Sequence, residues 1–259
     1  MNILEKIIVS KREEIARRKR ETAETELRRQ AETVSRPVHS FRNTLENSAT
    51  GIIAEFKRKS PSKGFIHPNA VAAEIVSGYE AAGAAAVSVL TDTEYFGGSP
   101  DDLREARKAV SLPLLRKDFI IDPYQLYEAR IWGADVVLLI AAALTPERTA
   151  ELAEEAHRLG MEVLLEIHEA AEIEHLNPCV DVAGINNRNL GTFVTDIQTS
   201  FELGNLLPDG LTKISESGLS DPRTIRELRR AGFRGFLMGE NFMKHEHPAA
   251  ALETFLEAL

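Results

Sequence analysis

The stretch Gly51–Gly64, GIIAEFKRKSPSKG, runs apolar and then turns abruptly charged. In a strand, side chains two apart share a face, so Ile53, Glu55 and Lys57 point together while Ala54 and Phe56 point the other way. A carboxylate and an ammonium then lie side by side at the end of a buried strand. Burying either charge alone is costly, which leaves mutual pairing, a ligand, or both. The residues that follow, Ser60 to Gly64, read as a loop of phosphate-binding size.

Outward from this stretch the pattern repeats. Apolar runs at 51–57, 84–90, 113–117, 135–140, 161–166, 180–186, 211–215 and 235–239 are each followed by a helix-like segment. Helices are predicted over 68–82, 100–110, 123–132, 146–159, 220–231 and 248–259, several opening with a capping residue and a proline, as in Asp122-Pro123 and Thr145-Pro146. Gly83, Gly133, Gly160 and Gly232 fall where a helix must stop and turn into the next strand. Near-continuous apolar strands such as AAAVSVL and DVVLLI belong to parallel sheets covered on both faces. Eight such units predict an α/β fold, a (β/α)8 TIM barrel. A doubly wound open sheet is the competing fold, but neither G-x-G-x-x-G nor Walker A spacing occurs.

Ahead of the barrel, residues 1–48 read as an N-terminal helical extension, with an amphipathic helix over 2–20, a second near 23–32 and a connection over 34–48 anchored by Phe41. Residues 49–259 form the barrel, the whole making a single domain. The net charge of −9 is uneven: residues 1–50 hold 11 Lys and Arg against 8 Asp and Glu. That arm is too diluted by glutamates to mark a nucleic-acid partner. No uncharged run reaches membrane-spanning length and no signal-peptide core opens the chain, so a cytoplasmic protein without membrane contact is expected. The single cysteine, Cys179, excludes an internal disulfide framework and is consistent with a reducing compartment.

Barrel active sites lie at the C-terminal ends of strands. Seven of the eight predicted ends carry polar groups, among them Glu55 and Lys57, Thr91 and Asp92, Lys117 and Asp118, Glu166 and His168, Asn186 to Asn189, Ser215 to Gly218, and Gly239-Glu240; the fourth ends apolar. Parity puts Glu55, Lys57, Lys117, Glu166, Asn186 and Arg188 on the inner face, so two lysines and two glutamates meet in one mouth. A structural ion pair explains one such pair, not a convergence from separate strands. Close opposite charges also permit proton transfer with tuned pKa values. Ser217-Gly218 and Gly239-Glu240, beside the Ser60-Pro61-Ser62 loop, describe an anion site, hence a phosphorylated small-molecule substrate. His168-Glu169 begins like a zincin motif, but Glu172 stands where the second histidine is required, so no metal is expected.

These residues resemble indole-3-glycerol phosphate synthase. The motifs are AEFKRKSPSKG at 54–64, SVLTD at 88–92, LLRKDFI at 114–120, GADVVLLI at 133–140, LLEIH at 164–168, GINNRNL at 184–190, SESGL at 215–219 and GFLMGENFM at 235–243. The resemblance covers the chain and implies closure of the indole ring of 1-(2-carboxyphenylamino)-1-deoxyribulose 5-phosphate, with loss of carbon dioxide and water and no metal or organic cofactor. It implies that Lys117 is the general acid, that Glu166 acts in dehydration, and that Lys57 contacts the substrate carboxylate or serves as a second proton donor. Glu55 would hold the lysines, and Asn186 and Arg188 would bind substrate. Ser60, Ser217, Gly218, Gly239 and Glu240 match the phosphate side, the last through its backbone N–H. Phe96 and Phe119 line the anthranilate pocket or belong to the core. The 60–68 loop is expected to move between empty and filled states. A monomer is expected, with contact to other tryptophan-pathway enzymes left open. The competing reading is a repurposed, phosphate-binding TIM barrel of different activity.

Overall fold

The computed structural model describes residues 2–189 and 191–259; Met1, and Leu190 at the end of the GINNRNL motif, lie outside the described residues. Eight parallel strands close into a barrel: β1 (Ile52–Phe56), β2 (Ala86–Leu90), β3 (Leu114–Lys117), β4 (Val136–Ile140), β5 (Glu162–Ile167), β6 (Val182–Asn186), β7 (Thr212–Glu216) and β8 (Gly235–Met238). Closure is made by β8 returning to β1, with Ile52 opposite Phe236 and Ile53 opposite Leu237. Parity sorts the core into two layers. Ile53, Ala86, Leu115, Val136, Leu138, Leu164, Val182, Ile214 and Leu237 fill the interior, while Ile52, Ala54, Phe56, Val87 and Val89 pack outward against helices.

The helices are α1 (Ile3–Glu21), α2 (Glu24–Glu32), α3 (Phe41–Asn47), α4 (Ala72–Ala82), α5 (Pro100–Ala109), α6 (Pro123–Trp132), α7 (Pro146–Arg158), α8 (Gln198–Gly204), α9 (Pro222–Arg230), α10 (Glu240–Met243) and α11 (Pro248–Glu257). Two expectations change. The helix predicted from residue 68 begins at Ala72, because the Ala70 carbonyl accepts from Arg58 Nε at 2.9 Å instead of entering a helical turn. The helix expected after β5 is replaced by a 3-10 turn, Ala170–His175.

The connection over 34–48 contains a helix, α3, capped by the Ser40 hydroxyl accepting from the Asn43 N–H. Its Phe41 and Leu45 are fully buried against the lower end of the barrel interior, each contributing about 1.5–3 kcal/mol of burial. Arg36 fastens the same segment to Asp135, which is fully buried and also accepts from Arg107 and from the Leu114 N–H. At the other end, α1 opens with a capping box between Asn2 and Glu5. It lies across the upper rim, its Lys11 buried between Asp92 at 2.9 Å and Asp118 at 3.0 Å.

Candidate active site

A cavity of about 440 Å³ opens at the C-terminal end of the barrel. Every site residue named from the sequence lines it: Glu55, Lys57, Ser60, Phe96, Lys117, Phe119, Glu166, Asn186, Arg188, Ser217, Gly218, Gly239 and Glu240. The ends of β1, β3, β5, β6 and β7 carry the acid–base groups; the segments that follow β7, β8 and β1 carry the glycines and serines.

The floor is a linked charge cluster. Lys117 Nζ lies 3.1 Å from Glu166 Oε2 and 2.9 Å from Glu216 Oε2, while Lys57 Nζ lies 2.6 Å from Glu55 Oε1. Burial disfavours an ammonium, but Glu166, Glu216 and Glu55 outweigh it and hold the Lys117 pKa well above the ordinary lysine value. Glu166 is pushed the other way: burial favours its neutral form, yet Lys117, His168 and Asn186 bring its pKa far below the usual carboxylate range. Glu216 is raised to about 7, because burial and the neighbouring Glu166 and Glu55 charges exceed the pull of Lys117. Two carboxylates share one lysine, and their environments drive them apart.

Glu216 belongs to a polar strand end to which the sequence pattern assigns no role. Counting two from the buried Ile214 would have placed it inward, making three glutamates in the mouth rather than two. Gly184 and Gly239 create its space and that of Glu55. A Cβ at Gly184 would stand 2.5 Å from Glu216 Oε1, and one at Gly239 would stand 2.4 Å from Glu55 Oε1. Gly239, read as a backbone approach to phosphate, is therefore also required by a carboxylate behind it.

Asn186 Nδ2 donates to Glu166 Oε1 at 3.1 Å, and its Oδ1 accepts the Arg188 backbone N–H at 3.0 Å. Arg188 reaches Thr195 through Nε, which leaves it at the rim. Asn187, one residue on, is buried and donates to Ser215 Oγ and to the Glu216 and Ser217 carbonyls, tying β6 to β7. Beyond it Ser217 and Gly218 turn with φ of 66° and 74°, an uncommon conformation for serine. Ser60 Oγ is buried without a hydrogen-bond partner among the described residues. The Glu240 carboxylate is held by Lys63 at 2.5 Å.

The remaining walls are apolar. Phe96 and Phe119 stand with ring centroids 6.0 Å apart and both face the cavity. Leu138 and Ile140 of β4, the strand whose end is apolar, line it as well, and Ile3, Leu4 and Ile7 of α1 complete the rim. The arm thus supplies cavity wall, which no local pattern in the sequence announced.

Fold and site together define a (β/α)8-barrel enzyme with an acid–base centre of amines and carboxylates. A family profile described as indole-3-glycerol phosphate synthase matches residues 4–255. A relative of that name from Bacteroides thetaiotaomicron is 54% identical over 258 residues, spanning 100% of this chain and 99% of its own. Another, from Bordetella pertussis, is 45% identical over 256 residues and 97% of each chain. The chain belongs to the indole-3-glycerol phosphate synthase family, and it is a carboxy-lyase of tryptophan biosynthesis. A solved structure of tryptophan synthase subunit alpha from Legionella pneumophila superposes with a TM-score of 0.61 at 13% identity, covering 84% of this chain and 97% of that one, a likeness of fold alone.

Proposed function

We propose that Lys117, Glu166, Lys57, Glu55 and Asn186 carry the closure of the indole ring of 1-(2-carboxyphenylamino)-1-deoxyribulose 5-phosphate, with release of carbon dioxide and water. The observation that carries this reading is the Lys117 ammonium held between Glu166 and Glu216 on the cavity floor. As the aromatic carbon attacks the ketone, negative charge grows on its oxygen, and a preformed ammonium there stabilises the developing alkoxide and gives it a proton. Loss of carbon dioxide returns the electron pair of the broken ring–carboxylate bond to the iminium formed by the attack and neutralises it, a charge-cancelling step favoured inside the apolar wall of Phe96, Phe119, Leu138 and Ile140. Glu166 then serves the dehydration, while Lys57, paired with Glu55, meets the substrate carboxylate or donates a second proton.

Arg188 binds substrate at the rim, and Ser60, Ser217, Gly218, Gly239 and the backbone N–H of Glu240 take the phosphate. The unpartnered Ser60 hydroxyl supports that side of the reading. Residues 1–48 and 49–259 act as one domain, and the chain works as a cytoplasmic monomer. The single cysteine and a phosphorylated metabolite as substrate support the compartment. Supplying the carboxyphenylamino substrate and following indole fluorescence tests the activity. Lys117→Ala abolishes turnover while the protein stays folded, because Glu216 can take up a proton when the ammonium leaves. Turnover surviving in Lys117→Ala would remove lysine from the role of acid.

A further inference from the structure

Next to the acid–base floor stands a half-buried histidine that the reaction as read above does not use. His168 follows Glu166 by two residues and so shares its inward face. Its Nε2 lies 3.1 Å from Glu166 Oε1, in ionic contact without an aligned hydrogen bond. On its far side Nδ1 lies 3.3 Å from Glu172 Oε2, and that same oxygen accepts the His168 backbone N–H at 2.6 Å. Glu172 is supplied by the 3-10 turn that replaces the helix after β5, and the turn is pinned by His175 Nδ1 to Thr149 of α7 at 2.9 Å. The other groups facing Glu166 come from across the barrel: Lys117 on β3, Asn186 on β6 and, through Lys117, Glu216 on β7. Glu55 and Lys57 of β1 complete the charge around the floor.

We propose that Glu172, His168 and Glu166 form a carboxylate–imidazolium–carboxylate chain in which His168 is a positioning residue, fixing the Oε1 side of Glu166 so that its Oε2 stays on Lys117. The inference rests on the dehydration role given to Glu166. Three contacts then define that carboxylate, two on Oε1 and one on Oε2, and its rotation is lost. Burial works against the charged ring, but Glu166 and Glu172 prevail and raise the His168 pKa to about 10, so the imidazolium persists at neutral pH.

The test uses the full-length enzyme in four forms: wild type, His168→Ala, His168→Asn and Glu166→Gln. His168→Ala is expected to lower kcat by about tenfold to a hundredfold, the range seen when a catalytic group is slightly misplaced, with a smaller change in KM. Glu166 and Glu216 titrate as a coupled pair, and removing the neighbouring cation raises the apparent pKa values of that pair, so the acid limb of the kcat profile moves up by roughly one pH unit. A role confined to packing would leave that limb in place. His168→Asn, which restores a donor without charge, is expected to recover part of kcat but not the limb. Should His168→Ala fail to fold, nitrogen-detected NMR of the wild-type ring decides, with both ring nitrogens protonated at pH 8 expected. A neutral ring at pH 8, or an unmoved acid limb in His168→Ala, overturns the chain. Glu166→Gln separates the two levels: undiminished turnover there overturns the role of Glu166 itself, whereas impaired Glu166→Gln beside normal His168→Ala overturns only the positioning by His168.

Discussion

Lys11→Met is the sharpest test of how the N-terminal arm is joined to the barrel. Lys11 is buried, with its ammonium on Glu14 at 2.7 Å, Asp92 at 2.9 Å and Asp118 at 3.0 Å. Removing one partner of a buried ion pair costs about 3–5 kcal/mol, because the remaining charge is left uncompensated. Asp118 keeps Arg116 at 2.9 Å and the Thr91 hydroxyl at 2.7 Å, so it remains ionised. Among the described residues the Asp92 carboxylate keeps the Tyr95 N–H at 2.8 Å as its remaining hydrogen bond, and burial has already raised its pKa. It can answer the loss by taking a proton, which places the cost near the lower end, about 3 kcal/mol. For a chain of this size that is a fall in Tm of roughly 6–12 °C. Asp92 holds the turn that leads to Phe96, and Asp118 Oδ1 accepts the Phe119 N–H at 2.8 Å, so loosening them should raise KM more than it lowers kcat. Calorimetry and steady-state kinetics on Lys11→Met, on Asp92→Asn and on the double variant complete a cycle in which the double variant recovers stability. A Tm for Lys11→Met equal to wild type, or a double variant no better than Lys11→Met, would refute the reasoning.

Two further outcomes follow from the floor of the site. Gly239→Ala forces a methyl into Glu55 Oε1 and displaces the partner of Lys57, so kcat/KM is expected to fall roughly a hundredfold as the acid–base groups misalign, with the fold retained; an unchanged kcat/KM counts against it. His168, at about 10 in the folded state against 6.5 unfolded, contributes stability that is complete below pH 6.5 and lost as pH rises through 10. Chemical denaturation should therefore show the gap between wild type and His168→Gln narrowing across that window, and a gap that stays constant would dismiss the linkage.

What the sequence made legible followed from periodicity. Parity alone placed Glu55, Lys57, Lys117, Glu166 and Asn186 on the inner face, and the helix-ending glycines marked where four of the eight strands begin. Glu216 was within reach of the same argument through Ile214. Lys11 was not: on an amphipathic helix a lysine looks like solvated surface, and its partners lie far along the chain at Asp92 and Asp118. His168 is visible in the sequence as a polar strand end and as half of a metal motif but not as a link between carboxylates, since a partner two residues away and another on an unforeseen 3-10 turn leave no spacing signature. The helix over Phe41–Asn47 escaped for a related reason: at seven residues it is set by packing beneath the barrel more than by its own propensity.

That plug beneath the barrel has a consequence for synthesis. Phe41 and Leu45 leave the ribosome before any strand of the interior they fill, and Arg36 precedes its partner Asp135 by 99 residues. At typical translation rates of about 5–20 residues per second, the gap is roughly 5–20 seconds. The seam between β1 and β8 joins last, once Phe236 has emerged. The nascent arm therefore carries unburied aromatic and aliphatic side chains through most of elongation.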